Sequence, residues 1–256
     1  MNVDEITPMI LTYNEQDNLY ETLTGLSWAN HVLVVDSGST DRTLAICAEF
    51  SNVRVIHREF DHFADQCNYG LSKVESPWVL SLDADYKCDS AFAQELVELD
   101  GAEVGYEARF LYGVYGKALR ATLYPPRIVL FRGKLANYQR DGHAHRVTLE
   151  GVVGTLETPI LHDDWKPLSM WLAAQIRYAN LEAEKLASTP ACQLGWKDRI
   201  RKTILLAAPL TILYCLIYKR LLLDGWRGIY YSLQRTFAEL VLSLVLLDQK
   251  LRSHLR

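Results

Sequence analysis

Asp83-Ala84-Asp85, directly after the apolar run Trp78–Leu82, is where this 256-residue chain concentrates its chemistry. Two carboxylates one residue apart suit a hard divalent cation, because Mg2+ and Mn2+ take oxygen ligands and keep water and phosphate oxygens in their shell. A cation held there can neutralise charge developing on a departing diphosphate. The plainer reading is that two aspartates end a strand as turn formers. Polar groups also follow two other apolar runs: Tyr13-Asn14-Glu15 after Thr7–Thr12, and Ser37-Gly38-Ser39-Thr40-Asp41 after Val32–Asp36. Asp36 is placed to accept hydrogen bonds from a base or ribose. Ser39 or Thr40 is equally placed to cap the next helix.

Positioning these groups falls to short alternating elements. Thr7–Thr12, Val32–Asp36, Val53–His57 and Trp78–Leu82 read as strands, with helical periodicity over roughly 15–26, 40–50 and 62–74 between them. Such alternation predicts a parallel sheet with helices on both faces and ligands at the carboxyl ends of its strands. From Gly105 to about Pro159 the pattern turns strand-like, at Tyr106–Val114, Arg127–Phe131 and Val152–Ile160. A helix is expected from about Pro167 to Ala187. Arg127 and Arg132 frame one strand, and either could fork onto a diphosphate or simply end the strand in solvent.

Charge divides the chain. Against a total of −4, residues 196–256 hold 11 Lys+Arg and 4 Asp+Glu, a balance of +7, which leaves −11 on residues 1–195. Thr203–Tyr218 carries no charge, but it is interrupted by Pro209 and falls short of the roughly 17–25 apolar residues of a span. Trp196, Tyr214, Tyr218, Trp226, Tyr230 and Tyr231 add aromatics of the kind common at lipid interfaces. Helices lying on an anionic membrane surface account for this tail; packing on the domain or on a second copy of the chain is the alternative. The five cysteines show neither zinc-site nor disulfide spacing, and the acidic N-terminus MNVDEITPM is unlike a secretory signal, so a cytosolic setting is expected.

The succession ILTYNE, VLVVDSGSTDRT and WVLSLDADY strongly resembles the family-2 glycosyltransferases of GT-A fold, over the first hundred residues. The helix PLSMWLAAQIRYANLEAEKL and the stretch LYCLIYKRLLLDGWRGIYYSL are similar to those of the lipopolysaccharide-core glucosyltransferase branch. The resemblance implies an α/β fold: a GT-A nucleotide-binding, mostly parallel sheet flanked by helices, with a C-terminal apolar, basic helical extension. Residues 1–195 would form the catalytic domain, with 1–100 binding nucleotide and 101–195 the acceptor, and 196–256 would be the membrane-associating helices. Thr12, Glu15 and Asp36 would bind the nucleoside, Asn68 would lie near the donor phosphates, Asp83 would face the ribose and Arg127 the diphosphate. Asp85 and His162 would hold Mg2+ or Mn2+. Two departures stand out: Tyr86 where the branch has glutamate, and Arg146 where its GxVHE-like segment has another. Family-2 enzymes invert the anomeric centre and need a base, for which Asp141 is the first candidate and His143 or His145 the second.

The expected reaction is transfer of a hexose from a nucleotide-diphosphate sugar, a UDP-sugar first, to a lipid-linked or lipopolysaccharide-type acceptor. The expected place is the cytoplasmic face of a bacterial-type inner membrane, with no nucleic-acid partner and with self-association through the C-terminal helices as an open alternative. A nucleotidyltransferase would want a glycine-rich, basic loop after the first strand, and LTYNEQDN has none. A non-catalytic scaffold is argued against by the intact Asp83 and Asp85.

Overall fold

A computed structural model describes the backbone of residues 1–141 and 144–255, and the side chains of these except 141–145 and 254. It comprises two compact units: one of Met1–Ala118, Tyr124–Arg140 and Ala144–Lys166, the other of Leu119–Leu123 with the chain from Pro167 onward.

The first unit opens with strands β1 (Ile6–Thr12), β2 (Val32–Asp36), β3 (Val53–His57) and β4 (Trp78–Asp83), connected by helices α1 (Leu19–Thr24), α2 (Thr43–Cys47) and α3 (Phe63–Leu71). β5 (Tyr86–Lys87), α4 (Ser90–Glu98), β6 (Gly105–Val114), β7 (Lys117–Ala118) and β8 (Arg127–Arg132) follow. β9 (Asn137–Asp141), β10 (Ala144–Thr148) and β11 (Val153–His162) complete it. The main sheet runs β3-β2-β1-β4-β8-β6-β11-β5, while β9 and β10 pair separately. β3 to β4 are parallel, β8 enters antiparallel, and β11 returns parallel to β6. The expected α/β architecture with a mostly parallel sheet is thus what the chain adopts.

Side-chain alternation explains the layers. Ile10, Val34, Leu80 and Leu82 join Leu19, Leu23, Phe92 and Leu96 in one buried cluster. Their neighbours Met9, Leu33, Val35 and Val79 join Ala64 and Cys67 of α3 in another. Successive strand residues face opposite ways, so apolar runs at the sheet centre demand cover on both faces.

In the second unit, α5 (Leu168–Ser188), α6 (Trp196–Lys202), α7 (Ala207–Leu213) and α8 (Trp226–His254) are joined in part by a π-turn at Tyr214–Tyr218 and a 3-10 turn at Leu221–Asp224. Ala179, Ala183 and Leu186 of α5 pack with Leu194 and Leu242. Arg201 of α6 bonds Glu239 of α8 at 2.7 Å and Glu182 of α5 at 3.3 Å. The sequence suggests a boundary near residue 195. The compact units divide after Lys166, and the small-residue face of α5 is buried among the later helices. No helix among the described residues is long and apolar enough to cross a membrane.

Gly25 ends α1 against the loop that follows the acidic turn. A Cβ there would stand 2.4 Å from the Cys88 carbonyl oxygen. Gly25→Ala should therefore cost about 1–3 kcal/mol, as overpacking against backbone does. Urea unfolding checks this, and an unchanged midpoint would mean that α1 withdraws freely from that loop.

Candidate active site

Strand register gathers the polar residues on one edge. Thr12 pairs with Asp36, and Leu11 with Asp83. β4 and β8 pair antiparallel, Leu80 facing Leu130, so Asp83 at the end of β4 and Arg127 at the start of β8 come to the same edge of the sheet. β11 ends with His162 opposite both Tyr86 of β5 and Tyr112 of β6. A histidine distant in sequence is thereby delivered to the Asp83–Asp85 turn by backbone pairing alone.

His162 Nε2 lies 3.0 Å from Asp85 Oδ2, and each side chain is only 14% exposed. Burial opposes the imidazolium, yet the Asp85 carboxylate outweighs it and holds the His162 pKa above the ordinary histidine value. Burial likewise opposes the Asp85 carboxylate, and His162 more than offsets this, lowering its pKa. The remaining atoms, Asp85 Oδ1 and His162 Nδ1, are buried without a partner among the described residues.

Aromatic rings surround the imidazole. Tyr86, Tyr112 and Tyr124 have ring centroids 5.2, 4.9 and 5.0 Å from that of His162. The Tyr86 and Tyr124 hydroxyls bond one another. Burial first, then the Asp83 charge, pushes both phenols upward, so they remain neutral donors. Arg127 lays its guanidinium 4.5 Å from the Tyr124 ring centroid. Arg132 bonds the Gly101 carbonyl at the opposite end of β8, which leaves Arg127 as the arginine of this edge.

Other expected residues prove to be occupied. Asp36, 2% exposed, accepts from the Thr12 and Ser39 hydroxyls and from the Gly38 and Ser39 amides. These four bonds match a carboxylate's acceptor capacity and fold the turn after β2. Glu15 accepts from Lys166 Nζ at 2.6 Å and Asn18 Nδ2 at 3.2 Å. Asn68 clips both amide ends to the Tyr138 backbone. The candidate bases Asp141 and His145 have side chains outside the described residues, as does the whole of His143.

Residues 9–116 match the model for glycosyl transferase family 2. The chain is 27% identical over 194 residues to the lipopolysaccharide core biosynthesis glycosyltransferase LpsC of Rhizobium meliloti, covering 70% of this chain and 71% of that one. It is 30% identical over 94 residues to an uncharacterized glycosyltransferase of Rickettsia conorii, a stretch spanning 33% of that relative's length. Among solved structures, it resembles mannosyltransferase PcManGT of Pyrobaculum calidifontis, in complex with GDP-Man and Mn2+, with a TM-score of 0.53 and 17% identity over 96% of this chain and 86% of that one. It also resembles glucosyl-3-phosphoglycerate synthase of Mycobacterium tuberculosis, with a TM-score of 0.50 and 16% identity over 74% of this chain and 82% of that one. These two likenesses support the GT-A fold.

Asp85 and His162, which meet through Oδ2 and Nε2, could supply at most two protein ligands to a divalent cation. No group of three or more His, Cys, Asp or Glu able to hold a metal occurs among the described residues. A cation here would depend on water and diphosphate oxygens for its other ligands, as Mg2+ and Mn2+ do. Lys166, Asn18 and the tyrosines around His162 escape a linear reading, since only strand pairing reveals them.

The Glu15–Lys166 pair has a pH signature. Burial pushes the Glu15 carboxyl up from 4.5 to about 7, with Lys166 pulling against it. A raised carboxyl pKa means stability is lost as pH climbs from about 4.5 through 7. Lys166→Met removes the attraction that tolerates the ionised form. Its destabilisation should be small at pH 5 and clearly larger at pH 8, read from urea midpoints. Equal losses at both values would dissolve the pair as an electrostatic unit.

Proposed function

We propose that this family-2 glycosyltransferase moves a hexose from a nucleotide-diphosphate sugar, a UDP-sugar first, to a lipid-linked or lipopolysaccharide-type acceptor with inversion. The observation that carries the reading is the Asp85–His162 contact, with Asp83 and Arg127 on the same carboxyl edge of the sheet. The rhizobial lipopolysaccharide-core relative supports the acceptor class. The mannosyltransferase solved with GDP-Man and Mn2+ supports a nucleotide sugar and a divalent metal.

Asp85 and His162 would hold Mg2+ or Mn2+, which supplies positive charge for the diphosphate as the glycosidic bond breaks. Arg127, stacked on Tyr124, keeps its fork oriented toward the same phosphates. Asp83 receives the ribose hydroxyls. Thr12, Glu15 and Asp36 form the nucleoside end, the last by shaping the Ser37–Thr40 turn, and Asn68 holds β9 beside the phosphates. Asp141 is the first candidate to take the acceptor proton, with His143 and His145 as alternatives.

The second unit supports a membrane setting. Leu205, Ile217, Tyr218, Leu222, Leu223 and Trp226 are exposed, and Lys219, Arg220 and Arg227 interleave with them in sequence. Apolar burial and attraction of cations to anionic lipid act together in interfacial binding. The reading is therefore an enzyme held on the cytoplasmic face of an inner membrane.

Two outcomes test this. Asp85→Asn should fold, yet lose the Mn2+-dependent thermal stabilisation that one of a UDP-, GDP- and dTDP-sugar panel gives the native chain. Retained stabilisation would remove Asp85 from the metal site. The full chain should also pellet with anionic vesicles, less so at high salt, and Leu222→Asp with Leu223→Asp should cut pelleting at least tenfold, given about 1.5–3 kcal/mol per buried leucine. Unchanged pelleting, or self-association without lipid, would assign those leucines to protein contacts instead.

A further inference from the structure

β6 and β11 run parallel, with His162 abreast of Tyr112. Three residues past that pair, the chains carry Tyr115 and Trp165. Their rings meet edge to face with centroids 6.0 Å apart. Both are open to solvent, Tyr115 by 57% and Trp165 by 46%. At ~3.3 Å per extended residue they lie within ~10 Å of the His162 backbone, about the span of one or two sugar rings.

Neither ring is there by default. Tyr115-Gly116 forms the two-residue turn between β6 and β7, whose strands close with Val114 facing Lys117. Both turn residues have positive φ, +50° and +75°. That geometry favours Asn, Asp or Gly at the first position, so a tyrosine is held in a conformation its side chain disfavours. Such strain points toward function when the ring is also exposed.

Trp165 is fixed by a buried apparatus. Its Nε1 donates to Asp163 Oδ2 at 2.8 Å, and its backbone N–H donates to Asn18 Oδ1. Asp163 is 1% exposed, pairs with Lys87 at 3.3 Å, and leaves Oδ1 buried without a partner among the described residues. The fit requires a glycine at 113, where a Cβ would come within 2.5 Å of Asp163 Oδ1. Lys87 Nζ stands 5.7 Å from the indole centroid. An exposed indole held rigid from below, with a charged pair at its rim, is suited to a ligand having an apolar face and a hydroxylated edge.

We propose that Tyr115 and Trp165, set edge to face, form an aromatic corner against which a pyranose ring of the acceptor stacks, its hydroxyls reaching toward Lys87. The corner rests on the glycosyltransferase reading for its biological role, but its ligand class follows from the rings. It receives the saccharide at the same strand edge that carries Asp85 and His162, so acceptor and donor approach from adjoining loops.

The test uses the full chain labelled with 5-fluorotryptophan, with Trp165→Phe assigning the Trp165 fluorine signal. Methyl glucoside, galactoside and mannoside are titrated, together with the core oligosaccharide released from lipopolysaccharide by mild acid. The Trp165 signal should shift with at least one of them. Tyr115→Asn suits the turn, so its melting temperature should hold or rise while saccharide affinity falls at least tenfold. A Trp165 signal that no saccharide moves, or equal affinity in Tyr115→Asn, overturns the aromatic corner. Stabilisation by UDP or GDP with Mn2+ is recorded in parallel. If the native chain shows none while Trp165 still responds to saccharide, the donor reading fails and the aromatic corner stands.

Discussion

The contact between Asp85 and His162 is the interaction on which this site hangs. A strand edge that collects Asp36, Asp83, Asp85, Asp163 and Asp164 accumulates negative charge that folding alone would disfavour. His162 enters as the last residue of β11 and places a protonatable ring 3.0 Å from Asp85. In the absence of a metal, an imidazolium there supplies positive charge of the kind a divalent cation would bring. The raised His162 pKa and the lowered Asp85 pKa are two views of that one electrostatic need.

The remaining acidic groups are neutralised one by one, and each solution fixes a loop. Asp163 takes Lys87, Glu15 takes Lys166, and Asp36 is satisfied by hydroxyls and amides. Asp164 accepts from Asn18 and from the Lys166 amide. The loop after β11 is thereby bound both to the loop after β1 and to β5. Of the carboxylates at the edge, Asp83 and Asp85 are the pair left adjoining Arg127 and His162. That selection follows from the partners the other carboxylates take as much as from the Asp-Ala-Asp sequence itself.

Much of this was legible in the chain. Val32–Asp36 and Val53–His57 are strands with those very bounds, because short apolar runs closed by polar turns have few alternatives. The helices are shorter than their periodicity predicts: α1 spans Leu19–Thr24 rather than 15–26, since Glu15 and Asn18 are drawn into contacts with Lys166 and Asp164. α2 starts at Thr43, where Asp41 caps its amide and hydroxyl. Pairs such as Glu15 with Lys166, 151 residues apart, depend on the order of strands in the sheet, which no local pattern encodes. The Asp85–His162 pairing was reachable only through likeness to a family, and β11 register supplies its physical cause.

Tyr86, where the resemblance led to the expectation of a glutamate, has a packing reason here. A glutamate at position 86 would set one more carboxylate beside Asp83 and Asp85, with His162 directly across the β5–β11 ladder. Tyr86 instead is 3% exposed, gives its ring to Phe110 and His162, and bonds Tyr124. The tyrosine therefore exchanges a charge for packing: it leaves the imidazole to Asp85 and stiffens the ring that carries Arg127.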